Sequence, residues 1–582
     1  MRKLSLLFII LLLTACSSNK KKHQNDFTTL FEKSKGTETP LYEEVITYYK
    51  KLTNSFPELS MFEIGETDSG FPLHLIVFDH RGKVNLEDLK NSDKTRILIN
   101  NGIHPGESDG IDASMILLRN IIQSEPLKNA YKNTIIGVIP VYNIGGALNR
   151  NSHSRANQNG PKEYGFRGNS RNFDLNRDFI KQDTKNAAAF TEIFHLLDPD
   201  IFIDTHVSNG ADYQYAITHL FTQHNKLGGN LGVFLEKEMR PFIESNLLKK
   251  NIAITPYVNV WGETPEKGWS QFYDSPRYST GYSTLFNSLG LMIETHMLKP
   301  YKIRVEQTYE LMISALDFGE QYSQKIKNLR NQSLQRLYQA QKYPIHFASD
   351  KNNPSKLNFK GYEGTYVDSK VTTKKRLFYD QNKPFTKEVN YYNNFIPIQE
   401  INIPKAYVLK KGWHRVIERL VNNKIEFIRF KNDTTILSEV QYIQEYKTRK
   451  SAYEGHYLHY DTALKKIMKK VTFEKDDLFI PIQQKGIRYL IETLEASATD
   501  SFFNWNFFDT ILQQKEGFSS YVFEDIAEKI LEENPELKQA LDNKIKIDKN
   551  FANNAYAQLH FIYQQSPHYE KVHLRLPIYK LY

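Results

Sequence analysis

One stretch of the sequence places an imidazole and a carboxylate three residues apart at the end of a predicted strand. The apolar run that starts at Ile97 ends at His104, and Pro105, Gly106 and Glu107 follow directly. A residue before proline avoids helical angles, so His104 should be extended, while the glycine permits a tight turn back to Glu107. Such a pair can reach one metal ion, because catalytic zinc sites use three ligands of the His, His, Glu type. On its own, however, the pair is more often a surface turn with a salt bridge.

Two further predicted strands carry polar residues near their C-terminal ends. The run Asp200-Ile-Phe-Ile-Asp-Thr ends in His206, and the run Leu289-Gly-Leu-Met-Ile leads to Glu294, with His296 two residues later. Ligands of open α/β sheets bind at the carboxyl ends of the strands. A carboxylate on a buried strand is costly unless it has a partner or a function, so Glu294 is a candidate catalytic group. A lone strand histidine such as His206 is otherwise more often structural, and His296 is the rival functional residue of its strand.

A fourth segment offers an amide and a guanidinium side by side. It runs Asn172-Phe-Asp174-Leu-Asn176-Arg177-Asp178. Arginine recognises carboxylates through two parallel hydrogen bonds, so this pair is suited to holding a carboxylate group. A charged surface turn is the plain alternative.

The elements that must position these groups alternate along the first half of the chain. Strands are predicted over 71–78, 96–103, 134–142, 200–206 and 289–295, and helices over 41–56, 110–122, 187–197, 229–248 and 305–331. This alternation predicts an α/β domain over residues 41–335, with a mixed, largely parallel sheet flanked by helices. Residues 143–171 lack periodicity and form a predicted long ordered loop, which is typical of a functional segment.

The composition changes after about residue 330, and residues 340–582 are predicted to be an accessory region of mixed α and β structure. A helix is expected over 413–422, and a helical break is expected at Pro535. We find no metal-binding or nucleophile pattern in this region. Its aromatic and Lys-rich composition could suit binding of peptides or glycans, and packing against the first domain is its default role.

Composition and charge exclude several classes of protein. With 40% hydrophobic and 25% charged residues, the 582-residue chain is neither disordered, collagen-like nor a polytopic membrane protein. The net charge of +9 is spread without a long basic block, so no nucleic-acid partner is indicated. The single cysteine excludes an internal disulfide and a zinc site built from several thiolates.

The N-terminus predicts export. A basic start is followed by an apolar run over residues 4–13 and by Thr14, Ala15 and Cys16. This pattern resembles the bacterial lipobox. The resemblance implies a signal peptide over residues 1–15, lipidation of Cys16, a tether over residues 16–40 and a membrane-anchored lipoprotein of the bacterial cell envelope. The outer membrane or cell surface is favoured over the inner membrane. An ordinary signal peptide with an incidental cysteine is the alternative.

Taken in order, the four polar segments resemble the zinc carboxypeptidase family, peptidase family M14, over roughly residues 41–330, about half of the chain. The resemblance implies that His104, Glu107 and His206 bind one Zn²⁺ ion per chain. It also implies that Glu294 is the catalytic glutamate. Asp174 matches the acid that orients the first zinc-binding histidine.

The resemblance extends to the substrate-binding groups. Asn176 and Arg177 match the pair that holds the substrate's C-terminal carboxylate, and Tyr278 is our choice for the family's mobile tyrosine, with Tyr282 as its competitor. Arg155 best fits the arginine that stabilises the oxyanion, because it follows a segment, residues 143–146, that looks like the family's Asn-Pro-Asp-Gly turn. The competing arginines for this role are Arg150, Arg167 and Arg171.

The expected protein is therefore a zinc-dependent metallocarboxypeptidase that acts on peptides with a free C-terminal carboxylate. An amidohydrolase of the same fold, acting on cell-wall peptides or N-acyl amino acids, is the first alternative. A non-catalytic, lipid-anchored binding protein is the second, but it would be expected to have lost a ligand or the glutamate. The sequence predicts neither an oligomeric state nor a side-chain preference at the cleavage site.

Overall fold

The computed structural model of the chain describes residues 26–582, apart from the side chain of Lys90. The predicted signal peptide and Cys16 lie outside the described residues. Among the described residues, we find no helix with the length and apolar character needed to cross a bilayer. The described part of the predicted tether, residues 26–40, differs from the prediction because it packs on the domain: Phe27 and Phe31 are buried, and a short capped helix spans Leu30–Lys33.

The first half of the chain builds a layered α/β domain. Its strands are β1 (Leu59–Glu66), β2 (Pro72–Phe78), β3 (Thr95–Asn100), β4 (Thr134–Ile139), β5 (Ile201–Ser208), β6 (Ile217–Phe221), β7 (Ile254–Pro256), β8 (Trp269–Ser270) and β9 (Leu289–His296). All except β8 form one sheet in the order β1-β2-β4-β3-β5-β9-β6-β7. Its central strands β4, β3, β5 and β9 are parallel, whereas β1, β2 and β6 join antiparallel neighbours. The predicted mixed, largely parallel sheet is confirmed.

Helices cover both faces of this sheet. They are α1 (Leu30–Lys33), α2 (Tyr42–Ser55), α3 (Leu86–Lys90), α4 (Asp109–Gln123), α5 (Glu125–Ala130), α6 (Ile144–Leu148), α7 (Lys185–Leu197), α8 (His224–Leu227), α9 (Gly229–Phe234), α10 (Arg240–Lys249), α11 (Ser279–Thr284), α12 (Tyr301–Gln321) and α13 (Ser323–Gln339). The long helix predicted over 305–331 is instead two helices that meet at Tyr322. The long loop contains α6, which Asn143 caps by accepting the Gly146 N–H at 2.9 Å.

Strand alternation divides the core between the two faces of the sheet. On β3, Ile97 and Ile99 pack with the α4 and α12 layer, whereas Leu98 faces the α7 layer with Phe190. Successive strand side chains point to opposite faces, so an apolar run without alternation fits a sheet that is buried on both sides.

The C-terminal region adds further sheets and helices. Its strands are β10 (Lys342–Ser349), β11 (Ser355–Asp368), β12 (Lys375–Tyr392), β13 (Phe395–Asn402), β14 (Ala406–Leu409), β15 (Ile428–Arg429), β16 (Thr434–Thr448), β17 (His459–Phe473), β18 (Leu478–Pro481) and β19 (Arg575–Leu581). Its helices are α14 (His414–Asn422), α15 (Ile487–Leu494), α16 (Ser520–Glu533), α17 (Pro535–Ile547), α18 (Lys549–Ala552) and α19 (Ala555–Gln565). The predicted helix over 413–422 and the predicted break at Pro535 are confirmed.

The C-terminal region shares a hydrophobic core with the α/β domain. Tyr407, Leu490 and Trp505 belong to the same buried cluster as Phe190 and Phe202. In addition, β8 of the first domain pairs with β12 as a parallel neighbour. Packing against the first domain, the default role expected for this region, is thus present in the structure, and the two parts are not independent bodies.

Candidate active site

Two histidines and a glutamate converge at the C-terminal edge of the sheet. The turn after β3 brings back Glu107, whose N–H donates to the His104 carbonyl at 2.8 Å, and β5 carries His206. The Nδ1 atom of His104 lies 3.3 Å from one Glu107 carboxylate oxygen, and the Nδ1 atom of His206 lies 3.2 Å from the other. All three side chains are buried, and their ligand atoms lie within 4.8 Å of one another.

Carboxylates hold the far side of both imidazoles. Asp174 Oδ1 lies 2.9 Å from His104 Nε2, and Asp204 Oδ2 lies 2.8 Å from His206 Nε2. An Nε2–H that donates to a carboxylate fixes the tautomer that leaves Nδ1 free as a ligand atom. Asp204 is not among the predicted site residues, although its position two residues before His206, on the same face of β5, is a usable signal.

This donor set fits a zinc ion. Two imidazoles and one carboxylate are the ligands of a catalytic zinc site, which keeps a further position for water or substrate. The Nδ1 atom of His104 is buried and has no hydrogen-bond partner among the described residues. Burial alone would raise the pKa of Glu107, but the nearby His104 and Arg155 hold that pKa well below its usual range. The Glu107 carboxylate is therefore ionised.

Gly106 allows this turn to approach the long loop. A Cβ at Gly106 would lie 2.6 Å from Cδ of Arg155 and 2.9 Å from the Gly165 carbonyl oxygen. Its φ is not positive. The expected tight turn is present, and the glycine is needed there for close packing against the loop that carries Arg155 and not for a positive φ.

Glu294 faces the same edge from the neighbouring strand. Strands β5 and β9 are parallel, and His206 and Glu294 are directly paired in their register. The Oε2 atom of Glu294 is buried and has no hydrogen-bond partner in the described part of the chain. Burial raises the pKa of Glu294 to about 8. A divalent cation beside it would favour the ionised form.

These groups line one open cavity of about 570 Å³. Of the residues predicted for the site, the cavity is lined by His104, Glu107, His206, Glu294, Asn176, Arg177, Tyr278 and Arg155. Asp174 is not among its lining residues, as expected for a group that acts through His104. Residues that lie some 190 positions apart in the chain thus meet in one place.

Of the arginines considered for the oxyanion role, two lie close to Glu107. Arg155 Nη2 lies 2.9 Å from a Glu107 oxygen, and Arg167 Nη1 lies 3.7 Å from the same oxygen. Both line the cavity. Arg150 instead donates to the backbone carbonyls of residues 39, 40 and 163, and Arg171 donates to that of residue 183.

Arg155→Ala is expected to lower kcat by about 100- to 1000-fold, the usual cost of removing one oxyanion donor. Steady-state kinetics of Arg155→Ala and Arg167→Ala, with Arg171→Ala as an arginine control outside the cavity, checks this. A loss below about threefold for Arg155→Ala, with a large loss for Arg167→Ala, would assign the role to Arg167.

The predicted carboxylate-binding pair lies beside Tyr278. The guanidinium of Arg177 stands 4.5 Å from the centre of the Tyr278 ring, and Asn176 Oδ1 accepts the N–H of Ser279 at 3.3 Å. Tyr282, the competing tyrosine, is buried in the core and donates to Asn423 Oδ1 at 2.8 Å. Tyr278 is therefore the tyrosine that reaches the cavity.

His296 does not reach the cavity. It is buried, and its Nε2 lies 3.0 Å from the carbonyl oxygen of Ala211. Burial and the Lys299 charge lower the pKa of His296 to about 4. His296 therefore lies outside the cavity, which β9 lines with Met292 and Glu294.

This sheet edge brings together three side chains that can hold one metal ion, a further buried carboxylate and a guanidinium, an arrangement that fits a hydrolytic metallopeptidase. Residues 45–200 match the family model of the zinc carboxypeptidases, peptidase family M14. No curated protein is similar enough to count as a match.

Solved structures of metallocarboxypeptidases are similar to about half of the chain. A metallo-carboxypeptidase from Burkholderia cenocepacia is 16% identical, with a TM-score of 0.36, and the match covers 50% of this chain and 70% of that one. The carboxypeptidase A from Helicoverpa armigera is 12% identical, with a TM-score of 0.35, covering 51% and 74% of the two chains.

Proposed function

We propose that this protein is a zinc-dependent metallocarboxypeptidase that hydrolyses the C-terminal amide bond of peptides. The observation that carries the proposal is the shared cavity. One part of it holds the cluster of His104, Glu107 and His206, and another part holds Arg177. A substrate whose terminal carboxylate pairs with Arg177 would present its last amide bond to the cluster.

Glu294 is the proton carrier of the proposed reaction. His104, Glu107 and His206 would hold a zinc ion, which would supply Lewis-acid polarisation and lower the pKa of water. The Glu294 carboxylate takes the proton of the attacking water and passes it to the amine that leaves. The amide C–N bond breaks, one carboxylate forms on the shortened peptide, and the released residue becomes a free amino acid.

The cavity's cationic groups position the substrate and stabilise charge. Arg155 donates to the oxygen that becomes negative as water attacks the scissile carbonyl. Arg177 and Asn176 hold the free carboxylate of the departing residue, which favours removal of a terminal residue over internal cleavage. Because a guanidinium matches a carboxylate with two hydrogen bonds, a C-terminal amide would bind much less well.

A binding protein without activity is a weaker interpretation. Such a relative would be expected to lack a metal ligand or the catalytic glutamate, yet all four positions are filled and converge on the cavity. An amidohydrolase acting on cell-wall peptides or acylated amino acids would also need a carboxylate-binding arginine, so substrate tests must separate it.

Metal removal is expected to abolish activity. Peptides with free C-termini, the same peptides as amides, and muropeptides would be incubated with purified protein before and after treatment with a chelator, and the products read by mass spectrometry. We expect loss of single C-terminal residues from the free peptides only, no products after chelation, and recovery with added Zn²⁺. Internal cleavage, or activity confined to muropeptides, would contradict the proposal.

We further propose that the protein is anchored to the cell envelope through lipidated Cys16. The support is the sequence Leu13-Thr14-Ala15-Cys16 after a short apolar run. Cells grown with a clickable palmitate analogue should label the wild type and not a Cys16→Ser variant. Equal labelling of both would contradict the anchor.

A further inference from the structure

A tight turn between β16 and β17 of the C-terminal region reaches the segment that carries Asp174. Tyr453 and His456 close this turn with backbone hydrogen bonds of 2.8 and 3.0 Å. Between them, Glu454 and Gly455 have φ values of 49° and 78°. The Glu454 carboxylate accepts the backbone N–H of Asp174 at 2.8 Å. A side chain from the second half of the chain therefore binds the backbone of a residue of the candidate site.

Asp174 connects this hydrogen bond to the metal-ligand cluster. Its Oδ1 atom lies 2.9 Å from His104 Nε2 and accepts the N–H of Asn176 at 2.9 Å. Its Oδ2 atom accepts the Nε–H of Arg167 at 3.0 Å. A carboxylate on the far nitrogen of a metal-binding imidazole fixes the tautomer and the orientation of the ring. The backbone that carries this carboxylate is the part that Glu454 holds.

Two further contacts fix the turn to the same segment. His456 Nε2 lies 2.6 Å from an Asp183 oxygen. A Cβ at Gly455 would stand 3.1 Å from the Phe173 ring, so a glycine in the left-handed region lets the turn pass close to that ring. The turn is therefore held against the residues on both sides of Asp174.

The turn also packs on the buried core of the C-terminal region. The Tyr453 ring stacks on Trp505 with 6.2 Å between the ring centres, and Trp505 is fully buried. The indole N–H of Trp505 donates to Asp500 Oδ1 at 3.2 Å, and the same oxygen accepts the Nε–H of Arg277 at 2.7 Å. The Glu454 carboxylate thus extends from a backbone that is fixed on two sides.

The backbone conformation at Glu454 favours a specific role for its side chain. A φ of 49° is uncommon for residues other than glycine, and asparagine and aspartate adopt it more readily than glutamate does. A residue in an unfavourable conformation persists where its surroundings require it. In the described part of the chain, Glu454 is the acceptor of the Asp174 N–H, and a donor left without an acceptor is costly. The length of the glutamate side chain is what this contact needs.

We propose that Glu454 is a positioning residue for the zinc ligand His104 and acts through Asp174. The inference rests on the proposed function, because it takes the cluster as a zinc site. Glu454 is not among the residues that line the cavity. It fixes the backbone from which the Asp174 carboxylate reaches His104. An imidazole that is held in the ligand orientation beforehand loses less freedom when the metal binds.

The test compares Glu454→Asp with Glu454→Gln. Aspartate keeps the charge and suits the left-handed backbone, but its carboxylate is one methylene short of the Asp174 N–H. Glutamine keeps the length and an acceptor oxygen and removes the charge. The zinc affinity of each protein would be measured by competition with a fluorescent chelator. We expect Glu454→Asp to bind zinc about five- to tenfold more weakly than the wild type and Glu454→Gln to stay within about twofold of it.

Glu445→Asp is the matched control, because it shortens an exposed glutamate on β16, the strand that precedes the turn. It should bind zinc as tightly as the wild type. The metal-free forms of all four proteins should share one Tm within about 2 °C, since one hydrogen bond is a small part of the free energy of unfolding of so long a chain.

Three results would overturn the inference. The first is an unchanged zinc affinity in Glu454→Asp. The second is a loss of affinity in Glu454→Gln as large as in Glu454→Asp or larger, since the charge and not the hydrogen bond would then matter. The third is a lower Tm of metal-free Glu454→Asp, which would indicate a general structural role.

The measurement needs no substrate, so it separates this inference from the proposed function. If the wild type binds zinc but hydrolyses no peptide, the proposed function fails and the affinity difference still supports the role of Glu454. If the wild type hydrolyses peptides and Glu454→Asp binds zinc as tightly, the inference alone fails. A wild type that binds no zinc would overturn both.

Discussion

Glu294→Gln is expected to lower kcat by roughly 100- to 10,000-fold while the zinc content stays near one ion per chain. Glutamine has nearly the same shape as glutamate, but its amide cannot take a proton from water. Glu294 lies beside the metal-ligand cluster on β9 and is not one of its three members. Activity should therefore be lost without loss of metal. The measurement is kcat on a free-acid peptide together with zinc per chain by mass spectrometry.

Glu363→Gln is the control for the same chemical change at an exposed position on β11. It should keep both activity and zinc. If Glu294→Gln retained more than about a third of the wild-type kcat, another group would have to carry the proton. If it lost zinc as well, Glu294 would be a ligand, and the assignment of three ligands would need revision.

His206→Ala is expected to lose both bound zinc and activity. It removes one of the three ligand atoms and leaves Asp204 without the imidazole that its carboxylate contacts at 2.8 Å. Metal binding needs every ligand of a three-ligand site, so the remaining pair should hold zinc far more weakly. Zinc per chain after dialysis, measured beside kcat, tests this.

His219→Ala is the matched control for removal of a buried strand histidine. His219 lies on β6, is buried, and contacts Glu244 at 2.9 Å. This variant should keep its zinc. Full zinc occupancy in His206→Ala would contradict the ligand assignment, whereas equal zinc loss in both variants would indicate disruption of the sheet.

Much of the α/β domain could be predicted because its central strands are buried on both faces. Such strands are continuous apolar runs that end where a polar residue is needed, as in the runs that lead to His206 and Glu294. Parallel pairing then brings those ends to one edge, so a linear order of motifs becomes a spatial cluster. The strand β1 and the break at Tyr322 carry weaker local signals, and both were missed.

The choice among the loop arginines could not be made from the sequence. Spacing within an irregular loop does not determine where a long, flexible side chain ends, and the structure still brings both Arg155 and Arg167 to Glu107. Asp204 is hard to predict for a different reason, since an acid within an apolar strand is not distinguished from the rest of the strand by the sequence alone.

The contribution of the C-terminal region to the site was beyond local reasoning. Glu454 reaches Asp174 from 280 positions away in the chain. No local periodicity or spacing in the sequence indicates a contact between residues so far apart in the chain. The contact results from the shared core that packs Trp505 and Tyr407 with Phe190. The sequence predicts that the region packs on the first domain, and the structure shows that this packing brings Glu454 against Asp174.

The most direct test of the account is anomalous diffraction at the zinc absorption edge from crystals of the purified full-length protein. We expect one strong peak per chain, enclosed by His104 Nδ1, His206 Nδ1 and the Glu107 carboxylate, and the loss of that peak in His206→Ala crystals. A zinc-replete crystal with no peak among these three side chains, or with its peak elsewhere in the chain, would contradict the account.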